Sequence, residues 1–378
     1  MPEPSRIEVT LSERYDLAEL GRQWIDLQSR ATHSFFTSWG WMRCWLSNLP
    51  EQIRPMVLMA RRDDHVVGLA VLGRRSQRRR KIVRFDGLFL NETGDEDVDH
   101  LTIEHNGILA DSSDEIGIHR ECVRFLLDES PEWDEVSFSG VDASNVMNSV
   151  LSEPPAGVQR RVAKESPCIS VNLSKLRESN AEYLSVLSGN TRQQIRRAMR
   201  LYEESGTLSV DVASTMTDAA EFFDELKSLH QAYWTAKGQP GAFGSEFCDR
   251  FHRTLIADRF PHGEIQLLRI RAGEHVLGML YHFLYQGRVY CYQSGFTYDN
   301  DSRRKPGLVS HALAIRYNQE QGAAVYDFLA GDSQYKSSLG TDTEPMNWIV
   351  WQRSRWQFQI EDLLRITRQK IAAFHRGA

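Results

Sequence analysis

The sequence predicts an α/β (α+β) fold: a mixed, mainly antiparallel sheet flanked by helices, built twice in tandem. Three observations carry this. Apolar runs such as 65–72 and 276–284 are too short to cross a bilayer and suit strands. Amphipathic stretches at helical spacing separate groups of these strands. The order of elements also repeats: segments 55–60, 65–72 and 82–90 parallel 264–271, 275–285 and 288–296. In each copy a helix, from Ser113 or from Pro306, leads to one more strand, at 134–139 or 323–329. Val66-Val67-Gly68 even matches Val276-Leu277-Gly278. Pro154-Pro155 in the turn-rich stretch 152–157 reads as a linker, so the modules are 1–153 and 154–378.

The first module opens with a strand at 7–10. Asp16 caps a helix whose Leu17, Leu20, Trp24 and Leu27 share a face. Thr37-Ser38 caps an aromatic helix holding Phe35, Phe36, Trp39, Trp41 and Trp45 within 35–49. After the strand at 55–60, Asp63-Asp64 turns the chain. Arg74, Arg75, Arg78, Arg79, Arg80 and Lys81 form the next loop, either a solvated hairpin or a docking surface for an acidic carrier protein, a tRNA or an anionic membrane. An acidic loop with Glu92, Asp95, Glu96, Asp97 and Asp99 precedes an expected strand at 101–109. A helix from Ser113-Asp114 through Leu127 and the strand at 134–139 complete the module.

In the second module a strand is expected at 168–173. Thr191 with Gln194 has capping-box spacing and opens a helix. Its Arg192, Arg196 and Arg200 make a basic stripe, either a solvated face or a clamp for phosphate or an acidic acceptor. Asp218 and Glu221 start the next helix, which stops at Lys237-Gly238; another runs over 245–258. Three strands at 264–271, 275–285 and 288–296 turn at Ala272-Gly273 and Gln286-Gly287. The tail, 354–376, reads as an amphipathic basic helix.

Composition excludes several classes. The 378 residues carry a formal net charge of -6, which argues against a general DNA binder. Five scattered cysteines without a CxxC pair read as reduced thiols in a cytoplasmic protein without a zinc site. The twelve histidines show no metal pattern, so His282 reads as packed and no metal is expected. No signal peptide or transmembrane run is expected, though the basic segments allow peripheral membrane contact.

The most informative stretch starts at Tyr290-Cys291-Tyr292-Gln293-Ser294-Gly295-Phe296. Arg303-Arg304-Lys305-Pro306-Gly307-Leu308 follows and opens a helix ending at Gln321-Gly322. Pro306 fits the first helical turn, and Gly307 lets the backbone approach a ligand. Bare N–H groups behind Arg303, Arg304 and Lys305 make an expected anion site. The corresponding helix start in the first module has Asp111, Asp114 and Glu115, which would repel phosphate.

Trp24, the aromatic segment Phe36–Trp45, Asn190-Thr191-Arg192-Gln193-Gln194-Ile195-Arg196-Arg197, Trp234-Thr235-Ala236-Lys237-Gly238-Gln239-Pro240-Gly241-Ala242-Phe243, Gln293-Ser294-Gly295-Phe296, Pro306-Gly307-Leu308 and Asp327-Phe328-Leu329-Ala330-Gly331-Asp332-Ser333-Gln334-Tyr335-Lys336 resemble the CelD-type acetyltransferases. These are GNAT-superfamily proteins with Fem-like tandem domains, many from exopolysaccharide or cellulose gene clusters. The resemblance implies an acyltransferase using acetyl-CoA or another acyl-CoA and an amine acceptor. The ordinary GNAT pyrophosphate loop is absent, and Lys305-Pro306-Gly307-Leu308 stands in its place. An acyl carrier protein or an aminoacyl-tRNA, as in the Fem enzymes, therefore remains open as donor. A catalytically degenerate assembly factor is the non-enzymatic reading.

Direct acyl transfer needs a held donor, a polarised thioester carbonyl, a base for the amine and an acid for the thiolate. Arg303, Arg304, Lys305, Gly307, Leu308 and Ser294 are the donor-site candidates. Asp332 is read as base or amine anchor, or as a turn cap. Tyr335 is read as acid or packed ring, and Lys336 as phosphate ligand, tuner of Tyr335 or solvated lysine. Tyr292, Arg192 and Arg196 are the acceptor-side candidates. Tyr290 reads as packed and Asp327 as structural.

Overall fold

The computed structural model describes residues 6–79, 83–128, 133–356 and 358. The first half contains β1 (Ile7–Ser12), α1 (Leu17–Gln28), α2 (Trp39–Asn48), β2 (Met56–Arg62), β3 (His65–Arg79), β4 (Val83–Leu90), β5 (Leu109–Ala110), α3 (Glu115–Asp128), β6 (Glu135–Asp142) and α4 (Val146–Leu151). The chain continues through β7 (Val158–Asn172), α5 (Leu173–Glu178), α6 (Gly189–Glu203), β8 (Leu208–Val212), α7 (Met216–Ala236), α8 (Glu246–Arg259), β9 (Ile265–Ala272) and β10 (His275–Tyr285). It ends with β11 (Arg288–Phe296), α9 (Pro306–Glu320), β12 (Val325–Ala330), α10 (Gln334–Leu339) and β13 (Asp342–Arg353). The expected basic tail helix falls almost wholly outside the described residues.

One sheet runs β1-β2-β3-β4-β6-β13-β7-β12-β11-β10-β9-β8, with β5 on β3. Among the described residues only β4–β6 and β11–β12 pair parallel. These are the two places where a helix, α3 or α9, carries the chain between neighbouring strands, as parallel pairing requires. At the centre the halves exchange strands. β7 follows β6 in sequence but pairs with β12, whereas β13 follows β12 but pairs with β6; β7 and β13 pair with each other.

One sheet face is shared. Trp24 of α1, Trp41 and Met42 of α2, Phe222 and Phe223 of α7 and Phe251 of α8 form a single core with Leu267, Met279, Tyr281 and Phe283. The strand alternation sends the neighbouring Leu268 and Leu280 to the opposite face, where α6 and α9 cover them. Ile118 and Cys122 of α3 and Met147 of α4 cover the other half of that face.

Local signals place most helix starts. Asp16 accepts from the Glu19 N–H, and Ser38 caps α2. Two expected caps move. Ser188, not Thr191, caps α6, and Thr215 forms a capping box with Asp218 at α7. The expected strand at 101–109 is mostly irregular, keeping only Leu109–Ala110. Thr102 and His105 have φ of 32° and 49°, outside strand geometry. Tyr335 and Lys336, just past Gly331-Asp332, lie in the short helix α10. β7 begins ten residues before the expected strand, because its polar Gln159–Lys164 stretch carries no apolar alternation.

Phe35 from the first half stacks on Phe283 from the second at 4.4 Å between ring centroids, and both rings are fully buried. Phe283→Ala should cost about 3–5 kcal/mol. Urea unfolding should still show one transition, because sheet and core are continuous across the halves; two separated transitions would contradict this.

Candidate active site

The parallel pair β11–β12 is in register only from Arg288–Val325 to Tyr290–Asp327. Beyond it the strands splay. The gap opens into a cleft of about 710 Å³, lined on one side by Cys291 to Phe296 and on the other by Phe328 to Ala330. The β11 edge facing β12 therefore has no ladder partner there, leaving backbone groups for a ligand.

Side chains hold the splay open. Leu329 has φ 62°, a left-handed conformation costly for leucine, and the β12–β7 register shifts between Asp327 and Ala330. The Leu329 N–H donates to Asp327 Oδ1 at 2.8 Å, and the Ala330 N–H to Glu104 Oε2 at 2.6 Å. Lys336 Nζ donates to Leu329 O at 3.2 Å and Ala330 O at 2.8 Å.

The start of α9 forms one end of the cleft. Lys305 is the N-cap and makes no side-chain cap bond, and Pro306 is the first helical residue. The first intrahelical bond is Val309 N–H to Lys305 O, so the Gly307 and Leu308 N–H groups precede the ladder. A Cβ on Gly307 would lie 3.3 Å from the Phe296 ring, so a larger residue would crowd this wall. Across the cleft, Gly295 lets α7 pack close. A Cβ there would meet Leu226 O at 2.9 Å and His230 N at 3.0 Å. That contact brings His230, Tyr233 and Trp234 to the lining.

Of the residues singled out in the sequence, Tyr292, Ser294, Arg304, Lys305, Gly307, Leu308, Tyr335 and Lys336 all line this cleft. Arg304 pairs with Asp299 at 3.2 Å, while Lys305 has no ion-pair partner among the described residues. Tyr335 stacks on the buried His311 at 5.4 Å, and desolvation holds its phenol above the ordinary value. Tyr292 donates to Leu101 O at 2.5 Å and packs its ring on Phe283.

Four residues lie elsewhere. Asp332 is exposed and outside the lining. Arg303 pairs with Asp301 at 2.7 Å. Arg192 donates to Ser185 O at 3.1 Å, and Arg196 faces Glu182 along a separate groove beside α9. Sequence reasoning missed Thr102, Glu104, His230, Tyr233 and Trp234. Glu104 and Thr102 come from the first half, in the stretch taken for a strand, and only tertiary contact brings them here.

Behind Glu104 lies a charged seam between the halves. His105 Nδ1 meets Asp142 at 2.8 Å and its Nε2 meets Asp327 at 3.0 Å; Arg288 donates to Asp327 Oδ2 at 2.7 Å. Cys168 donates to Asp327 Oδ1 at 3.4 Å. His105, Cys168 and Asp327 present ligand-type atoms within 4.8 Å of one another, but two cations and two carboxylates already balance there. Burial opposes charge on His105, yet the Asp327 charge and the bonds to Asp142 and Asp327 hold its imidazole well above the ordinary value. Burial likewise opposes charge on Asp327, which His105 and Arg288 overcome, holding it well below the carboxylate range. His282 is fully buried and bonded to Gln266 and Tyr326.

Residues 189–337, which carry most of this cleft, match the family described as Acetyltransferase (GNAT) domain. The protein is thus an enzyme of the acyltransferase class. No curated protein matches the chain in sequence. Solved structures share the fold along its length. FemX has a TM-score of 0.56 and 12% identity, covering 94% of this chain and 99% of its own. The C-terminal domain (DUF2156) of a protein designated a lysylphosphatidylglycerol synthetase, from Agrobacterium fabrum, gives 0.54 and 10%, covering 94% and 97%. L-PGS from Bacillus licheniformis gives 0.52 and 10%, covering 88% and 92%. At these identities the likeness is one of fold. No helix among the described residues is long and apolar enough to cross a membrane.

The seam predicts a signed pH dependence. Asp327→Asn should cost about 3 kcal/mol at neutral pH, the low end for a broken buried pair, because His105 loses its fully buried counter-charge while Arg288, 37% exposed, can re-solvate. His105 has a raised folded pKa, so its stabilisation is complete below about 6.5, the unfolded value, and lost as pH rises through the folded one. The difference in urea midpoint between wild type and His105→Gln should therefore shrink on the alkaline side. A constant difference would contradict the charge assignment.

Proposed function

We propose that the protein is an N-acyltransferase that moves an acyl group, acetyl in the simplest case, from acyl-CoA to an amine by direct attack. The single observation that carries this is the alignment of an unpaired strand edge with a bare helix start on one cleft. The Gly307 and Leu308 N–H groups, the positive end of α9, Lys305 and Arg304 suit a pyrophosphate. The β11 edge suits a pantetheine arm, which carries amide groups able to extend the ladder. Its thioester then lies near the strand ends, where Tyr335 and Lys336 stand. Tyr335 is suited to protonate the departing thiolate. No cysteine is suited to a covalent route: burial raises the Cys291 thiol, the one in the cleft lining, to about 11, those of Cys44, Cys122 and Cys168 to about 12, and that of Cys248 above its ordinary value.

The acceptor enters by elimination beside Thr102, His230, Tyr233 and Trp234, which occupy the cleft wall away from α9. The first half supports an architectural and acceptor-side role. Its equivalent gap between β4 and β6 is filled by its own chain: Asn106 donates from its side chain to Leu90 O at 3.0 Å and from its backbone to Gly140 O at 2.9 Å. The CelD-type resemblance supports a place in polysaccharide or cell-envelope biosynthesis.

Lys305→Glu should weaken CoA binding about tenfold or more in calorimetry, and more strongly at low salt. Unchanged affinity would remove α9 from the donor site. Tyr335→Phe should lower turnover about 10–100-fold at unchanged donor affinity. Turnover that survives ribonuclease treatment separates this reading from an RNA-borne donor.

A further inference from the structure

We propose that Glu104, a residue of the first half, is the general base that takes the proton from the acceptor amine in the cleft of the second half. The inference rests on the acyltransferase reading above and assigns a role that reading left unfilled. Three positions were open for a base. Asp332 is exposed and outside the cleft lining. His230 lines the cleft, but burial lowers its affinity for a proton. Glu104 lines the cleft and is only 6% exposed.

Its two oxygens are differentiated. Oε2 accepts from the Ala330 N–H at 2.6 Å, which fixes the carboxyl at the end of β12. Oε1 has no protein partner among the described residues. One oxygen is thus anchored while the other stays available, as a proton acceptor in a closed site requires. The anchoring strand end is also the cleft wall opposite β11, where the thioester is placed.

Charged and titratable groups face Glu104 from each neighbouring element. Lys336 approaches from α10, Asp327 from β12 and Cys168 from β7; His105 is adjacent in the chain, and Tyr292 faces it from β11. Burial raises the carboxyl most, Asp327 adds to that, and the Ala330 bond, Lys336 and His105 oppose it; the result is about 7. Such a group is ionised for part of the time at neutral pH and still basic enough to take a proton.

The balanced step follows. The acceptor ammonium gives one proton to Glu104 Oε1. The freed nitrogen lone pair forms the N–C bond to the thioester carbonyl. As the tetrahedral carbon collapses, the C–S bond breaks and its electron pair leaves on sulfur, which takes a proton from Tyr335. The second amine proton restores the tyrosine through solvent, and Glu104 returns its proton to solvent. The products are an amide and the free thiol, with no redox change.

Glu104→Gln separates this role from a structural one, because the amide oxygen can still accept from the Ala330 N–H. Infrared difference spectra of protein carrying 13C-labelled glutamate should show a carboxyl titrating near pH 7 in wild type that is missing in the variant, while that of Glu92, raised by burial to about 8, persists in both. CoA affinity, read by calorimetry, should match wild type. Thiol release from acetyl-CoA with glycinamide as probe should fall at least about 100-fold. With hydroxylamine, already neutral at pH 7, the loss should be much smaller. A Glu104 carboxyl titrating in the ordinary acid range overturns the proposal. So does a variant with wild-type glycinamide rates and the same acidic limb. Loss of CoA binding in the variant would move Glu104 to the donor site and also overturns it, whereas failure of wild type to bind CoA would instead refute the acyl-CoA reading.

Discussion

The cleft depends on how the last residues of β12 satisfy their backbone. A parallel pair that continued past Asp327 would bond those groups to β11 and close the gap. Instead, Asp327 and Glu104 take the Leu329 and Ala330 N–H groups, and Lys336 binds both carbonyls. Three charged side chains thus replace a stretch of ladder. Charge-assisted bonds are about twice as strong as neutral ones, which offsets the left-handed leucine and the lost pairing. These side chains also stand nearest the expected reacting atoms, so opening the sheet and equipping the site are the same event.

That arrangement requires both halves. Glu104 belongs to the first half, and the 102–107 loop reaches across to β12 of the second through Glu104 and His105. The seam of His105, Asp142, Asp327 and Arg288 then locks the juxtaposition with buried charge. The halves differ at their crossover-helix starts. At α9 the helix start is uncapped behind Lys305; at α3 the corresponding stretch holds Asp111 and Asp114, which pair with Arg30 and Arg62. The acidic side chains at the first start are paired with arginines, whereas the second start has no side-chain cap.

The helix start at one end of the cleft was legible in the sequence because its signals are local. Pro306 and Gly307 mark a helix start whatever the tertiary fold, and cationic residues before it need no distant partner to be read. The repeated strand order was legible for the same reason, through apolar alternation. The exchange of β7 and β13 was not, because the long polar half of β7 pairs through its backbone while its side chains face water. Glu104 was hidden too: 101–109 alternates like a strand, yet Thr102 and His105 turn the chain and Asn106 is consumed bridging Leu90 and Gly140. Asp332 drew notice because it sits just past the end of β12, but that position does not say which side of the turn faces the cleft.

Glu104 also shows what the site costs the fold. Raising a buried carboxyl from 4.5 to about 7 costs about 3 kcal/mol when the group is ionised. Because its folded pKa is raised, that cost is absent below the unfolded value and grows as pH rises through the interval. The neighbouring seam behaves differently: Asp327, held low, stabilises the fold across neutral pH. Setting the two side by side lets a strongly paired aspartate keep the halves together while a weakly compensated glutamate, one residue from His105, remains free to exchange a proton. If Glu104 shared the pairing that Asp327 enjoys, its carboxylate would be stable and useless as a base; the separation of those two environments over a single peptide step is what gives the fold a reactive acid inside a rigid wall.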